Sequence, residues 1–168
     1  MGSRGSVIPF FLKAKENGVL PITHEEMTRF NISLQEGVNM VMYAIEHHLG
    51  GEIFVPKIPS YKILDIAEAI APEASRTVVG IRPGEKLHEE MITDTDSLNT
   101  IDLGDYYAIL PSISDSYTEA DYTEHYQAVK VPFGFSYNSG SNTEWETVSS
   151  LRKHIVDHID PNFKVGDA

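Results

Sequence analysis

The stretch VVGIRPGEKLHEEMI, residues 78–92, decides the class of fold that the sequence predicts. An apolar run ends at Arg82, a Pro-Gly pair follows, and a charged amphipathic segment begins at Glu85. This order predicts a buried strand, a tight turn and a helix. Open α/β sheets bind their ligands at the carboxyl ends of strands, where such turns lie. The stretch therefore predicts an α/β fold with a candidate site at Arg82 and Glu85.

Segments before this stretch repeat the alternation, from Ser6 to about Pro111. Apolar residues recurring every three or four positions between capping residues and glycine stops predict helices, and short β-rich runs predict strands. Predicted helices cover residues 7–17, 34–49 and 61–71, and predicted strands cover residues 19–23, 52–58 and 76–81. The last of these strands has a buried character. The alternation is typical of an α/β layer.

Two of these helices have recognisable starts. Ser33 and Glu36 match a capping box, and Ser60 is the predicted N-cap of the helix that ends before Pro72. The apolar stripe expected after Ser33 consists of Leu34, Val38, Val41, Ile45 and Leu49.

The alternation of predicted helices and strands ends after Pro111. Residues 112–127 are rich in Ser, Asp, Glu and Tyr, which predicts a loop or a partly disordered arm. The segment TEWETVSSLRKHIVDHI, residues 143–159, predicts a last helix capped by Thr147. We therefore expect a ligand-binding lobe over residues 1–111 and a tail with a terminal helix over residues 112–168.

Charge and composition exclude several classes of partner. The 168 residues include 25 acids against 13 bases, for a net charge of −12, which opposes nucleic acid and anionic lipid. There is no cysteine, and no apolar run approaches the roughly 20 residues of a membrane helix. We expect a cytoplasmic protein with no nucleic-acid or membrane partner, in which a few placed cations hold any phosphate.

Arg82 and Glu85 have two interpretations at this point. In one, Arg82 is a solvated loop residue and Glu85 a first-turn acid that favours the helix dipole. In the other, the planar fork of Arg82 binds a diphosphate and Glu85 accepts hydrogen bonds from the hydroxyls of a ribose. Spacing alone leaves both open.

Four stretches, in order along the chain, carry a resemblance to a known family. They are GSRGSVIPFF (residues 2–11), LPITHEEMTRFNISLQEGV (20–38), GIRPGEKLHEEMI (80–92) and FSYNSGSNTEWETVSSLR (135–152). Together they resemble extended short-chain dehydrogenases acting on UDP-sugars, and more narrowly the inverting UDP-N-acetylglucosamine 4,6-dehydratases of polysaccharide and pseudaminic acid biosynthesis. Enzymes of this kind oxidise C4 of the sugar with NADP, eliminate water across C5 and C6, and return the hydride to C6 with inversion at C5.

The resemblance implies roles for particular residues. The segment SVIP, which contributes Val7, Ile8 and Pro9, would pack beside the uracil. Arg29 and Arg82 would bind the diphosphate, and Glu85 would face the ribose of the uridine. Two positions depart from the family, which usually has tryptophan at Asn31 and aspartate at His24.

The resemblance also implies that the NADP-binding half and the catalytic residues of the enzyme lie outside these residues. No G-x-G-x-x-G turn for a dinucleotide pyrophosphate occurs in the sequence, so we expect NADP in the full-length enzyme and none bound by this segment. The chain resembles the C-terminal half of the enzyme, without the NADP-binding Rossmann half, and no catalytic residue is predicted in it. Its expected partners are a UDP-sugar and either the missing N-terminal half or a second copy of itself, meeting at an exposed seam.

Other motifs have simpler interpretations. Tyr126 and Lys130 match the Tyr-x-x-x-Lys of short-chain dehydrogenases, but Val131-Pro132 follows at once, so a catalytic role is not expected. The histidine pair at residues 47–48 and the triplet at residues 88–90 lack the spacing of a metal site. Four aspartates, Asp94, Asp96, Asp102 and Asp105, lack the pattern of a calcium loop. No metal is predicted.

Three function classes remain open on the sequence. The chain is the substrate-binding portion of an inverting dehydratase, the equivalent portion of a UDP-sugar epimerase or of a C6-retaining dehydratase, or a non-catalytic module that binds a nucleotide sugar or aids assembly. The segment FSYNSGSNTEW favours the inverting dehydratase.

Overall fold

The computed structural model describes residues 6–113 and 116–165, which fold into two units that interleave along the sequence. The first unit contains residues 1–34, 59–89 and 139–168, and the second contains residues 35–58 and 90–138. These two structural units do not have a boundary at residue 111. The predicted division into a ligand-binding lobe, residues 1–111, and a tail, residues 112–168, concerns function and stays a prediction.

The secondary structure consists of short helices and strands. The helices are α1 Val7–Ala14, α2 Leu34–His47, α3 Ile63–Ile70, α4 Glu119–Tyr126 and α5 Val148–His158. The strands are β1 Val19–Ile22, β2 Thr28–Phe30, β3 Ile53–Pro56, β4 Ser60–Lys62, β5 Ser75–Val78, β6 Glu90–Ile92, β7 Thr100–Asp102, β8 Tyr106–Ile109, β9 Val129–Lys130 and β10 Tyr137–Asn138. Short 3-10 turns cover Lys15–Asn17 and Asp96–Asn99.

The first unit packs three helices against a pair of parallel strands. Strand β1 pairs with β5, and strands β2 and β4 form a separate antiparallel pair. Helices α1, α3 and α5 bury one continuous apolar core against these strands. Its fully buried members are Ile8, Phe11, Leu20, Ile22, Ile66, Ala67, Ala69, Ile70, Leu151 and Ile155.

Two predicted helix boundaries in this unit are confirmed. Gly18 ends the first helical segment in a left-handed conformation, with φ of 68°, which glycine adopts without steric cost. Thr147 begins α5 with a capping box that it shares with Ser150. The apolar stripe of α5 faces the core, as its spacing predicts, with Leu151 and Ile155 fully buried.

The second unit is built on a four-stranded antiparallel sheet in the order β3-β8-β7-β9, and β6 pairs with β10 separately. A small core lies beneath helix α4. It contains Ile101, Ala108, Leu110, Tyr122 and Ala128. The Tyr122 hydroxyl donates to the Gly50 carbonyl at 2.6 Å, which ties α4 to the end of the α2 segment.

The structure corrects two predicted helix positions. No helix follows the turn at Pro83-Gly84, and the Leu87 carbonyl instead accepts from the backbone N–H of the distant Thr28 at 3.1 Å. Ser60 is not a helix cap, because it lies in β4 opposite Phe30, and α3 begins only at Ile63.

The tail also differs from its prediction. Residues 119–126 form helix α4, where a loop or disordered arm was expected. Thr118 and Asp121 make a full capping box at its start, and Asp121 Oδ2 accepts from the Thr118 backbone N–H at 2.7 Å. This local capping stabilises a helix whose apolar periodicity is weak.

Two apolar segments are more exposed than their patterns predict. All four residues of β5 are exposed, because this strand pairs only with β1 among the described residues. Helix α2 forms as expected, but its stripe lies open, with Leu34 85% and Ile45 61% exposed. The helix packs through another side, where Tyr43 stacks on Tyr106 at 4.4 Å between ring centroids.

Candidate functional site

The first unit contains a cleft of about 500 Å³, a size within the usual range of small-molecule sites. Its polar lining brings together two arginines, Arg29 and Arg82, and two acids, Glu85 and Glu89. The apolar lining includes Val7, Phe10, Phe11, Pro21, Met27, Phe30 and Ile63. The cleft thus combines two arginines and two acids with an apolar wall, and its arginines can bind the anionic part of a ligand whose flat ring packs on the apolar wall.

The antiparallel pair β2–β4 positions the centre of the cleft. Arg29 lies directly opposite Tyr61 in this pair, so both side chains project from the same face of the strands. The neighbouring Thr28 projects from the other face, where its hydroxyl contacts His88 Nδ1 at 2.8 Å and Ser139 Oγ at 2.7 Å.

The guanidinium of Arg29 is held from two sides. Its Nη1 donates to the carbonyls of Thr28 at 2.7 Å and Leu87 at 3.3 Å, and its Nε lies 3.3 Å from Glu89 Oε1. Its Nη2 has no hydrogen-bond partner within residues 6–113 and 116–165. Arg29 is therefore oriented before a ligand arrives, which limits the entropy lost on binding.

Tyr61 is the most strongly perturbed titratable group in the cleft. Burial raises the pKa of its hydroxyl to about 12, with the positive charge of Arg29 lowering this pKa and the negative charge of Glu89 raising it. The phenol therefore stays protonated at neutral pH. It can act as a hydrogen-bond donor to an acceptor in the cleft.

Arg82 is presented by a closed turn. Gly84 has φ of 87°, as the third position of a Pro-Gly turn requires, and the Glu85 backbone N–H donates to the Arg82 carbonyl at 3.0 Å. Glu85 Oε2 in return accepts from the Arg82 backbone N–H at 3.0 Å. No hydrogen bond or ion pair occupies the Arg82 guanidinium in the described part of the chain. The turn leaves this cation exposed at the cleft.

The cleft contains four of the six residues predicted to bind substrate. Val7, Arg29, Arg82 and Glu85 line it together. Ile8 instead packs in the core at 1% exposure, and Pro9 lies beside it in the first turn of α1 without lining the cleft. Residues 2–5 of the motif GSRGSVIPFF lie outside the described residues.

Three polar cleft residues, Thr23, Tyr61 and Glu89, were not predicted from the sequence. Ser6, which belongs to the predicted segment SVIP, lies at the start of α1, and its Oγ is buried with no partner among the described residues. Tyr61 enters the cleft through strand pairing, and Glu89 through its contact with Arg29. For Glu89, the sequence offered one local signal: it lies four residues after Glu85, a spacing that places two side chains on the same face of a predicted helix.

The two departures from the family pattern lie outside the lining of the cleft. Asn31 is buried, and its Nδ2 donates to Glu146 Oε1 at 2.6 Å. Glu146 also accepts from Ser150 and lies 3.1 Å from His154 Nε2, so a polar cluster fills this position. His24 is half-buried, and its Nδ1 accepts from the Glu26 backbone N–H at 3.1 Å.

Tyr126 and Lys130 do not form a pair in the structure. The Tyr126 hydroxyl donates to Glu52 and also lies 3.0 Å from the His47 carbonyl, while Lys130 Nζ pairs with Glu119 at 2.6 Å. Burial, followed by the hydrogen bond with Glu52, raises the pKa of Tyr126. A catalytic tyrosine needs the opposite shift, because it has to exchange its proton near neutral pH.

Two of the four aspartates, Asp96 and Asp102, have protein partners. Asp102 pairs with Lys57 at 2.6 Å, and Asp96 accepts from the Thr93 backbone N–H at 2.9 Å. Among the described residues, no group of three or more His, Asp or Glu side chains has the geometry of a metal site. The same residues include no helix that is both long and apolar enough to cross a bilayer.

Comparison with known proteins assigns the family. A model of the family described as "Polysaccharide biosynthesis protein" matches residues 1–111. The chain belongs to this family. Within the polysaccharide biosynthesis family, the chain is 47% identical over 165 residues to the UDP-N-acetylglucosamine 4,6-dehydratase (inverting) of Campylobacter jejuni subsp. jejuni serotype O:23/36. That match covers 95% of this chain and 49% of the relative, which confirms the resemblance to part of such an enzyme.

Two further relatives bear on the fold and the function. The UDP-glucose 4-epimerase of Rickettsia canadensis is 43% identical over 114 residues, covering 65% of this chain and 33% of the relative. The X-ray structure of Pen from Bacillus thuringiensis is similar with a TM-score of 0.74 and 29% identity, covering 94% of this chain and 47% of Pen. This likeness confirms the predicted α/β fold of part of an extended short-chain dehydrogenase. The chain spans about half the length of the curated dehydratases it matches.

Proposed function

We propose that the cleft binds the UDP part of a UDP-sugar, and that the chain is the substrate-binding portion of an inverting UDP-N-acetylglucosamine 4,6-dehydratase. The observation that carries this proposal is the convergence of Arg29, Arg82 and Glu85 on one cleft with an apolar wall. Residues far apart in sequence meet there in the combination that a nucleoside diphosphate requires. The function of the Campylobacter relative supports the choice of substrate.

Each cleft residue has a proposed role. Arg29, through its unpartnered Nη2, and Arg82 donate charge-assisted hydrogen bonds to the diphosphate, which holds a dianion in a chain of net charge −12. Glu85 uses one oxygen to close the turn and offers the other to the ribose hydroxyls. Val7 and Phe10 form an apolar wall for the uracil, beside the backbone of Ile8 and Pro9.

Catalysis needs more than these residues supply. The dehydration depends on NADP as hydride carrier, and the residues present do not fit that cofactor. The sequence has no glycine-rich dinucleotide turn, and Tyr126 and Lys130 are engaged with Glu52 and Glu119. These 168 residues therefore hold and orient the sugar nucleotide. Correct positioning of a substrate is itself a large contribution to the rate of such a reaction. NADP would be held by a part of the enzyme outside these 168 residues, which we place in the cytoplasm.

Two alternatives make different predictions. A portion of a UDP-sugar epimerase would share the same UDP contacts, but the epimerase match covers 65% of the chain against 95% for the dehydratase. A non-catalytic module that binds a nucleotide sugar or aids assembly would bind UDP without any cofactor-binding half. A coding region for that half next to this sequence in the same gene favours the enzyme over the module.

The exposed apolar surfaces support a proposal about partners. In the first unit, Phe10, Val19 and Val79 line an open apolar groove, and in the second unit Val38 and Val41 are exposed along α2. Apolar surfaces of this kind can mark sites where a partner binds. We propose that either the missing half of the enzyme or a second copy of the chain covers this seam.

Without the other half, the purified chain is expected to self-associate, since burial of these apolar surfaces is favourable. Light scattering should then report a mass above the 18.7 kDa of the monomer. A monodisperse monomer at high concentration would contradict the proposed seam.

The binding proposal is tested by substitution of Arg82. Arg82→Ala should weaken UDP binding by about tenfold or more, because a hydrogen bond to a charged group contributes on the order of 1.5–3 kcal/mol. Arg82→Lys should recover only part of the loss, since an ammonium group cannot reproduce the planar fork. Uridine, which has no diphosphate, should lose far less affinity in both variants. Calorimetric titration of each variant with UDP and uridine measures these effects.

Arg76→Ala is the matched control, because Arg76 is an exposed arginine of the same unit that pairs with Glu68 at 2.5 Å and does not line the cleft. Its UDP affinity should equal that of the wild type. Equal UDP affinity for wild type and Arg82→Ala would contradict the proposed role of Arg82 in binding the diphosphate. The Arg82–Glu85 segment would then be an ordinary closed turn.

A further inference from the structure

Glu89 places a negative charge inside a cleft that is otherwise suited to an anion. Its Oε1 lies 3.3 Å from Nε of Arg29, and its side chain lines the cleft. The proposed roles of the cleft residues leave this acid without a function. Its position raises the question of how Arg29 can bind a phosphate while it is paired with a carboxylate.

The Arg29 guanidinium has two edges at which a phosphate can bind, and they differ in the partners they already have. A phosphate accepts two parallel hydrogen bonds from one edge of the fork, either from Nε with Nη2 or from Nη1 with Nη2. Nη1 is directed at the carbonyls of Thr28 and Leu87. The edge formed by Nε and Nη2 therefore remains for a ligand, and Glu89 occupies the Nε half of it.

Glu89 combines a fixed backbone with a movable side chain. Its backbone N–H donates to Ser139 Oγ at 2.9 Å, and its carbonyl accepts from the Ser139 N–H at 2.8 Å. Ser139 is fully buried. The Glu89 side chain, in contrast, is 44% exposed, so its carboxylate can turn into water while the main chain keeps its place.

We propose, resting on the proposed binding of a diphosphate, that Glu89 is an internal counter-ion that occupies Arg29 in the free protein and is displaced by the ligand. In this role Glu89 lowers the affinity for every ligand that uses the Nε–Nη2 edge. It leaves ligands without a phosphate unaffected. Arg29 thus keeps a partner in the empty cleft, and an anion gains full binding only when it displaces Glu89 from Nε and also accepts from Nη2.

Three variants of Glu89 and Arg29 test the proposal by calorimetric titration with UDP. Glu89→Gln should tighten UDP binding about two- to tenfold, since a half-exposed ion pair of this kind has a modest strength that the ligand no longer has to overcome. Glu89→Asp keeps the charge but retracts the carboxylate by one methylene, and it should also tighten UDP binding. In an Arg29→Met background, Glu89→Gln should bring no gain. Uridine affinity should be the same in wild type and Glu89→Gln.

Glu73→Gln is the control for net charge, because Glu73 is exposed in the same unit and does not line the cleft. An unchanged or weakened UDP affinity in Glu89→Gln overturns the counter-ion role while leaving the proposed function in place. If Glu89→Gln tightens UDP binding in the Arg29→Met background as well, or if Glu89→Asp does not tighten it, the gain comes from general charge repulsion. Either result also overturns the counter-ion role. Failure of the folded wild type to bind UDP overturns the proposed function, and the counter-ion role with it.

Discussion

A protein consisting of these 168 residues is expected to form no 4-keto product from UDP-N-acetylglucosamine and NADP. The cleft contains the contacts that we propose for the substrate, but the sequence contains no glycine-rich dinucleotide turn. The one Tyr-x-x-x-Lys motif is engaged elsewhere, because Tyr126 contacts Glu52 and Lys130 pairs with Glu119. The expected effect is a complete loss of turnover relative to a full-length enzyme.

The measurement is product formation over several hours with purified chain, substrate and NADP. The Campylobacter jejuni relative, assayed in parallel at the same concentration, is the positive control. Sustained product from the 168-residue chain would contradict the assignment of a substrate-holding role. A Tyr126→Phe variant would then show whether that tyrosine carries the reaction.

The largest effect on stability is expected from Leu151→Ala. Leu151 lies on α5 with no solvent exposure and packs in the core of the first unit. Truncation of a fully buried leucine removes its burial energy and leaves a cavity, which costs about 2–5 kcal/mol of the free energy of unfolding. Urea denaturation followed by the fluorescence of Trp145, the single tryptophan, measures this loss in the unit that contains both residues.

Leu34→Ala makes the same chemical change at a side chain that is 85% exposed. At a concentration at which light scattering shows a monomer, its free energy of unfolding should stay within about 0.5 kcal/mol of the wild type, as is usual for surface substitutions. Equal destabilisation by the two variants would mean either that α5 is not part of the core or that a partner buries Leu34. Light scattering on the Leu34→Ala variant separates these two cases.

Several features of the fold could be predicted from short stretches alone. Gly18 ends a helix and Thr147 begins one, because caps depend on residues within one turn of each other. The turn at Pro83-Gly84 forms for the same local reason. The order of four motifs further predicted the family and placed Arg29, Arg82 and Glu85 in one site, which the cleft brings together.

Other features were decided only by contacts between distant segments. The pattern after Glu85 is that of a helix, but the Leu87 carbonyl binds the Thr28 N–H, and the Glu89 backbone binds Ser139. A helix cannot form where its carbonyls and N–H groups are committed to other strands. Burial is likewise a property of neighbours, and for this reason β5 and the α2 stripe are exposed despite their apolar sequences.

The sequence by itself determined the α/β class, the helix boundaries at Gly18 and Thr147, the turn that presents Arg82 and the family to which the chain belongs. Only the tertiary structure decided that Tyr61 lies opposite Arg29, that Ile8 packs in the core instead of the cleft, and that Glu89 occupies the arginine. The physical reason is the range of the interactions. Caps and turns are set within a few residues, whereas strand pairing and side-chain contacts depend on which distant segments the folded core brings together.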